Sequence, residues 1–131
     1  MIGLDTNVLV RYLAQDDPAQ SRRATEIIEG RLTDQTPGFV SVVATAETVW
    51  VLDRAYGLSD EEIVRAIERM LQAEILVVEC EEEVFAAMTA LAEGLGSFAD
   101  ALIGALGARA GCATTLTFDR KALRLPHFEL A

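Results

Sequence analysis

The sequence predicts an α/β fold in which helices cover both faces of a central parallel sheet of about five strands. Short apolar runs alternate with longer helical patterns along the chain, and glycine or proline separates several of them. Hydrophobic residues make up 51% of the 131 residues, enough for a substantial core. This length suits one folding unit, so we expect residues 1–131 to form a single domain.

Five apolar runs have the length and composition of buried strands. They are residues 2–4, 39–41, 75–78, 113–117 and 128–130. Because helical patterns separate most of the successive runs, the strands are expected to pair in parallel.

Six stretches have helical patterns, and two of them begin with recognisable start signals. Pro18 suits a first helical turn, and Ser59 with Glu62 has the spacing of a capping box. The helices are predicted over residues 7–14, 18–31, 42–55, from 59 onwards, 81–93 and 97–109.

Four carboxylates stand in or beside apolar stretches: Asp5, Glu47, Asp100 and Asp119. Asp5 and Asp119 follow the first and fourth predicted strands, and sites in open α/β sheets form at the carboxyl ends of strands. Glu47 has apolar helical neighbours, among them Val43 and Trp50, so we expect it to face inward. The topology predicts that these acids meet at one edge of the sheet.

Grouped carboxylates repel one another unless a cation lies between them, so a metal site is the simplest interpretation of this set. Oxygen ligands without a histidine or cysteine cluster favour Mg²⁺ or Mn²⁺ over zinc. The only histidine, His127, lies near the C-terminus, which argues against a histidine-dependent nucleophilic triad.

Each acid also has a structural interpretation. Asp5 could cap a helix, and Asp119 could cap the short turn that follows it. Asp100 stands three residues after Ser97, which is the spacing of a capping box. Glu47 could simply be a helix former that points at water.

The net charge of −10 argues against non-specific binding of a polyanion, but basic residues lie close in sequence to the acids. Arg11, Arg120 and Lys121 are candidates for holding a phosphate backbone, and Arg54 and Arg124 are also nearby.

The chain contains two cysteines, Cys80 and Cys112. They have no zinc or Cys-x-x-Cys spacing, so both are expected to be buried thiols.

The N-terminus lacks the pattern of a signal peptide and no apolar run could cross a membrane, so we expect a cytoplasmic protein.

Four motifs together give the chain a family resemblance. They are residues 2–13 around Asp5, the Ala46-Glu47 step, residues 98–103 around Asp100 and residues 116–121 around Asp119. In this order and spacing the sequence resembles the PIN-domain ribonucleases, specifically the VapC toxins of bacterial toxin–antitoxin pairs.

The resemblance implies a three-layer α/β/α domain that cleaves RNA with Mg²⁺ or Mn²⁺. The acidic positions of the family match Asp5, Glu47, Asp100 and Asp119, and its supporting polar positions match Asn7 and Thr117. It also implies a homodimer and a cognate antitoxin that covers the cleft.

The sequence is also compatible with two other functions. An aspartyl-phosphate phosphohydrolase would also use an acid at a strand end, but it would prefer a second acid where this chain has Asn7. A non-catalytic acidic scaffold could instead bind a basic, antitoxin-like partner.

Overall fold

The computed structural model describes all residues from Met1 to Ala131. The chain divides into two compact units, Met1–Glu79 and Cys80–Ala131, which are described in turn.

The first unit contains three strands and four helices. In chain order they are β1 (Ile2–Gly3), α1 (Thr6–Ala14), α2 (Pro18–Thr25), β2 (Gly38–Val40), α3 (Val42–Arg54), α4 (Asp60–Gln72) and β3 (Leu76–Val78). The strands form a parallel sheet in the order β1-β2-β3, with Gly38 of β2 paired to Ile2 and to Leu76.

Helix start signals in the first unit work as the sequence predicts. Pro18 occupies the first turn of α2, where the Asp17 carboxylate accepts a hydrogen bond from the Gln20 N–H. Ser59 and Glu62 form a complete capping box at α4, and the hydrogen bond from the Ser59 N–H is the main reason why the pKa of Glu62 is lowered. These bonds satisfy N–H groups that have no partner inside the helix.

The helix predicted over residues 18–31 is not uniformly α-helical. After α2 the chain continues as a π-helical segment, Glu26–Arg31, and the Leu32 N–H donates to the carbonyl of Ile27, five residues earlier. Ile28 and Leu32 are both buried, at 0% and 4% exposure. The wider turn therefore accompanies the burial of two apolar side chains four residues apart.

The second unit contains two helices and two strands. They are α5 (Glu81–Ala92), α6 (Phe98–Arg109), β4 (Thr115–Thr117) and β5 (Phe128–Leu130), with a short 3₁₀ turn at Arg120–Arg124. Helices α5 and α6 pack together, and the Arg109 guanidinium donates to the Glu83 carboxylate at 2.6 Å. Strands β4 and β5 pair in parallel.

The predicted α/β class is confirmed, and all five strands pair in parallel as expected. They lie in two sheets of three and two strands instead of the single central sheet predicted. Strand β1 is only two residues long, and β2 is the one strand with which it pairs. None of the helices is both long and apolar enough to span a membrane.

The expectation that both cysteines are buried is wrong. Cys112 is exposed and Cys80 is half-buried, and both are free thiols. Cys112 follows Gly111 in the turn after α6, and Cys80 is the residue that precedes α5, so neither lies on the core face of a helix or strand.

Gly104 lets α6 approach β5 closely, because a Cβ atom at this position would lie 2.7 Å from Cε2 of Phe128. We therefore expect Gly104→Ala to lower the free energy of unfolding by about 1–3 kcal/mol through overpacking. Urea unfolding measures this change.

The control is Gly30→Ala, because no atom lies within 4 Å of a Cβ at Gly30. Equal stability of the two variants would show that the α6–β5 contact is not tightly packed.

Candidate functional site

Two of the four predicted acids, Asp100 and Asp119, line one cleft in the second unit. The cleft has a volume of about 270 Å³, and its other walls include the loop between α5 and α6 and the 3₁₀ turn. Lys121 and Arg124 also line it. We call this feature the acidic cleft. It places two carboxylates and two cationic side chains around the same space.

The loop between α5 and α6 forms one wall of the acidic cleft. Gly94 ends α5 with a positive φ of 69°, a conformation that glycine adopts without steric cost. A Cβ atom at Gly96 would lie 2.7 Å from the Leu125 side chain, so this loop passes close to the end of the 3₁₀ turn. This close approach brings the start of α6 beside the turn that carries Asp119.

Asp100 lies in the first turn of α6 and is half-buried. Its backbone N–H donates to the Ser97 hydroxyl at 3.1 Å, but the reciprocal bond from Ser97 to the Asp100 carboxylate is absent. The capping box that would explain this acid structurally is therefore only half formed. The carboxylate is left available for another partner.

Asp119 does have the structural role that the sequence allows. One of its carboxylate oxygens, Oδ1, accepts a hydrogen bond from the Lys121 N–H at 2.9 Å and caps the 3₁₀ turn. The Thr117 hydroxyl accepts a hydrogen bond from the Asp119 N–H at 3.0 Å, which fixes the backbone between β4 and the turn. A carboxylate that uses one oxygen as a cap keeps further lone pairs for a ligand.

Asp5 and Glu47 lie in the first unit, and both are exposed. Asp5 occupies the N-cap of α1, two residues after the end of β1, but its side chain makes no capping bond. Asn7 is also exposed, in the first turn of the same helix.

The expected inward orientation of Glu47 is wrong. Its apolar neighbours Val43 and Trp50 are themselves 76% and 61% exposed, so this side of α3 faces solvent. The buried side of α3 is a different stripe: Ala44, Thr45, Thr48, Val49 and Leu52.

The basic residues named from the sequence have different surroundings. Arg120 is exposed and is not among the residues that line the acidic cleft. Arg124, which the sequence shows only as a nearby base, does line it.

Arg11 is bound within the first unit. Its guanidinium donates to Gln20, Asp16 and Tyr56 at 2.8–3.1 Å. The hydrogen bond with Asp16 is the main reason why the pKa of Arg11 is raised. Contact with a substrate would require these bonds to be exchanged.

Glu79 is an acid at a strand end to which the sequence analysis gave no role. It directly follows β3, and its Oε1 accepts a hydrogen bond from the Val42 N–H at 2.8 Å, so it caps the start of α3. Its position one residue beyond an apolar strand is the signal that could have identified it.

No group of three or more His, Cys, Asp or Glu side chains lies close enough in this structure to hold a metal ion. The four-acid metal site therefore stays a prediction. The donors in the acidic cleft fit Mg²⁺ or Mn²⁺ by their chemistry, because Asp100 and Asp119 offer hard oxygen ligands and the Asp100 carboxylate has no capping partner.

Comparison with known proteins gives one family. The profile described as "PIN: PIN domain" matches residues 2–127, nearly the whole chain. No curated protein matches the sequence.

Substitution of Asp119 tests whether its carboxylate stabilises the 3₁₀ turn as a cap. Asp119→Ala removes the cap and should lower the free energy of unfolding by about 0.5–2 kcal/mol, whereas Asp119→Asn can still cap and should leave stability nearly unchanged. Chemical denaturation of both variants measures the difference. If alanine and asparagine have the same effect, the hydrogen bond to Lys121 does not stabilise the turn.

Proposed function

The chain belongs to the PIN-domain family, a nuclease family, and from this premise we propose that it is a metal-dependent endoribonuclease. It hydrolyses RNA phosphodiester bonds and acts as the toxin of a toxin–antitoxin pair. The observation that carries the proposal is the acidic cleft, where Asp100 and Asp119 lie beside Lys121 and Arg124.

In this proposal four carboxylates hold Mg²⁺ or Mn²⁺: Asp5, Glu47, Asp100 and Asp119. When bound, the ion lowers the pKa of a water and neutralises charge on the phosphate. We propose that Asp5 and Asp100 bind the ion directly, and two structural facts support this role. Each lies at the start of a helix and could cap it, but neither carboxylate does so.

Supporting residues keep the ligands in place. The Thr117 hydroxyl holds the Asp119 backbone through the 3.0 Å hydrogen bond, and Asn7 is proposed to play a comparable part near Asp5. Lys121 and Arg124 bind the phosphate from the side of the acidic cleft, and Arg120 contacts the RNA backbone outside it.

We propose that the two compact units act together as one functional domain. The family match covers residues in both compact units, which supports one functional domain over residues 1–131. We propose a cytoplasmic homodimer that binds a cognate antitoxin. Exposed apolar side chains such as Val43 and Trp50 on α3 support a protein partner, because such groups gain from being covered.

Cleavage of RNA by the purified chain tests the proposed activity. Wild type should cleave total RNA in the presence of Mn²⁺ and should lose that activity when EDTA removes the ion. Asp100→Asn should lower the rate at least about 100-fold, because loss of an outer partner of a metal ligand already costs about 10- to 100-fold. Gel electrophoresis of the RNA measures the rate.

The matched control is Asp34→Asn, which removes the charge of an exposed acid in the loop before β2 and should keep wild-type activity. Cleavage that persists in EDTA, or in Asp100→Asn at the wild-type rate, contradicts the proposed mechanism. A wild-type protein without any cleavage activity would instead favour a non-catalytic scaffold.

A further inference from the structure

Phe118 is a large aromatic residue whose side chain is not packed in the core. Its side chain is 89% exposed, the highest value among the large hydrophobic residues, and it lies between β4 and Asp119. Leu116, two residues earlier, is 63% exposed. An aromatic ring in this position contributes little to folding, because it remains in water.

The backbone that carries this ring is held on both sides. On one side, the Thr117 carbonyl accepts a hydrogen bond from the Ala131 N–H at 2.8 Å, next to the β4–β5 ladder. On the other, the Asp119 N–H donates to the Thr117 hydroxyl, and the Asp119 carboxylate caps the following turn. The chain therefore presents Phe118 from a fixed backbone.

The residues that follow the ring indicate what could cover it. Asp119, Arg120 and Lys121 come directly after Phe118 and are exposed, and Asp119 and Lys121 line the acidic cleft. An apolar protein surface that covered Phe118 would also remove water from these charges, which is costly. A nucleotide avoids this cost, because its phosphate can face the cations while its base covers the ring.

We propose that Phe118 is a stacking platform for an unpaired RNA base next to the phosphate that is cleaved. This inference rests on the proposed ribonuclease function and assigns to it a residue that contacts a base of the substrate. Stacking on an aromatic ring tolerates any base, since each has a π face. A base inside a duplex is already stacked and would not be available, so the ring favours single-stranded segments.

Binding of a fluorescent RNA tests the proposal without cleavage. The protein carries Asp100→Asn, and the probe is a single-stranded RNA of about ten nucleotides with 2-aminopurine in place of adenine, a length within the usual site size for stacked single strands. Stacking on Phe118 should change the 2-aminopurine fluorescence. Adding Phe118→Ala should weaken binding about 10-fold or more, and Phe118→Trp should restore it.

The matched control is Phe85→Ala, which removes a phenylalanine that is 56% exposed on α5 and does not line the acidic cleft. It should bind the probe as the parent protein does. A duplex of the same sequence should bind more weakly than the single strand and should be insensitive to Phe118→Ala.

Several results would overturn the proposal. Equal binding by Phe118→Ala and the parent, or no recovery with Phe118→Trp, would remove the ring from RNA recognition. A change in oligomeric state on Phe118→Ala, measured by light scattering, together with unaltered RNA binding would make Phe118 a protein contact.

Cleavage assays of the otherwise native protein distinguish this failure from failure of the ribonuclease assignment. If the native protein cleaves RNA with Mn²⁺ and Phe118→Ala cleaves with the same KM, only the stacking proposal fails. If the native protein neither cleaves nor binds RNA, both proposals fail.

Discussion

Asp5 occupies the N-cap of α1 and Asp100 the first turn of α6, positions where an acid normally binds free backbone N–H groups, but neither carboxylate does so. Other helices of the same chain show the usual arrangement, with Asp17 capping α2 and Ser59 with Glu62 capping α4. The proposed ligand role of Asp5 and Asp100 draws on this difference. A carboxylate that caps its own helix uses some of its lone pairs in hydrogen bonds, whereas a carboxylate without such bonds offers all of them to a cation.

Local sequence signals predicted most of the secondary structure. Every predicted strand and helix is present, and Ser59 with Glu62 forms the capping box that its spacing indicates. These features depend on residues within a few positions of one another, and hydrogen bonds of this range are set by local geometry. The strands also pair in parallel, because helices intervene between most of them.

Features that depend on distant contacts were harder to predict. The sequence around Glu47 is apolar on several sides, but which side of α3 faces the core is decided by the packing of Thr45, Val49 and Leu52. The exposure of Cys112 follows from its place in a turn, which residue type alone does not indicate. The π-helical segment after α2 has no local signal that we recognised.

The candidate site was predictable in part. The predicted topology indicated that four acids would meet at one edge of the sheet, and two of them, Asp100 and Asp119, line the acidic cleft. The same reasoning gave no role to Glu79, and it treated Arg11 as a substrate contact although Asp16, Gln20 and Tyr56 bind its guanidinium. A charged side chain that is close to a site in sequence can be hydrogen-bonded by its own neighbours. Only the folded structure shows which charged side chains remain available to a ligand.

Calorimetric titration with Mn²⁺ is the most direct test of the central claim that acids from distant parts of the chain share a cation. The account predicts saturable binding to the native chain and the loss of that binding in Asp5→Asn and in Asp100→Asn alike. Binding that survives either substitution unchanged, or no binding by the native chain, would contradict it.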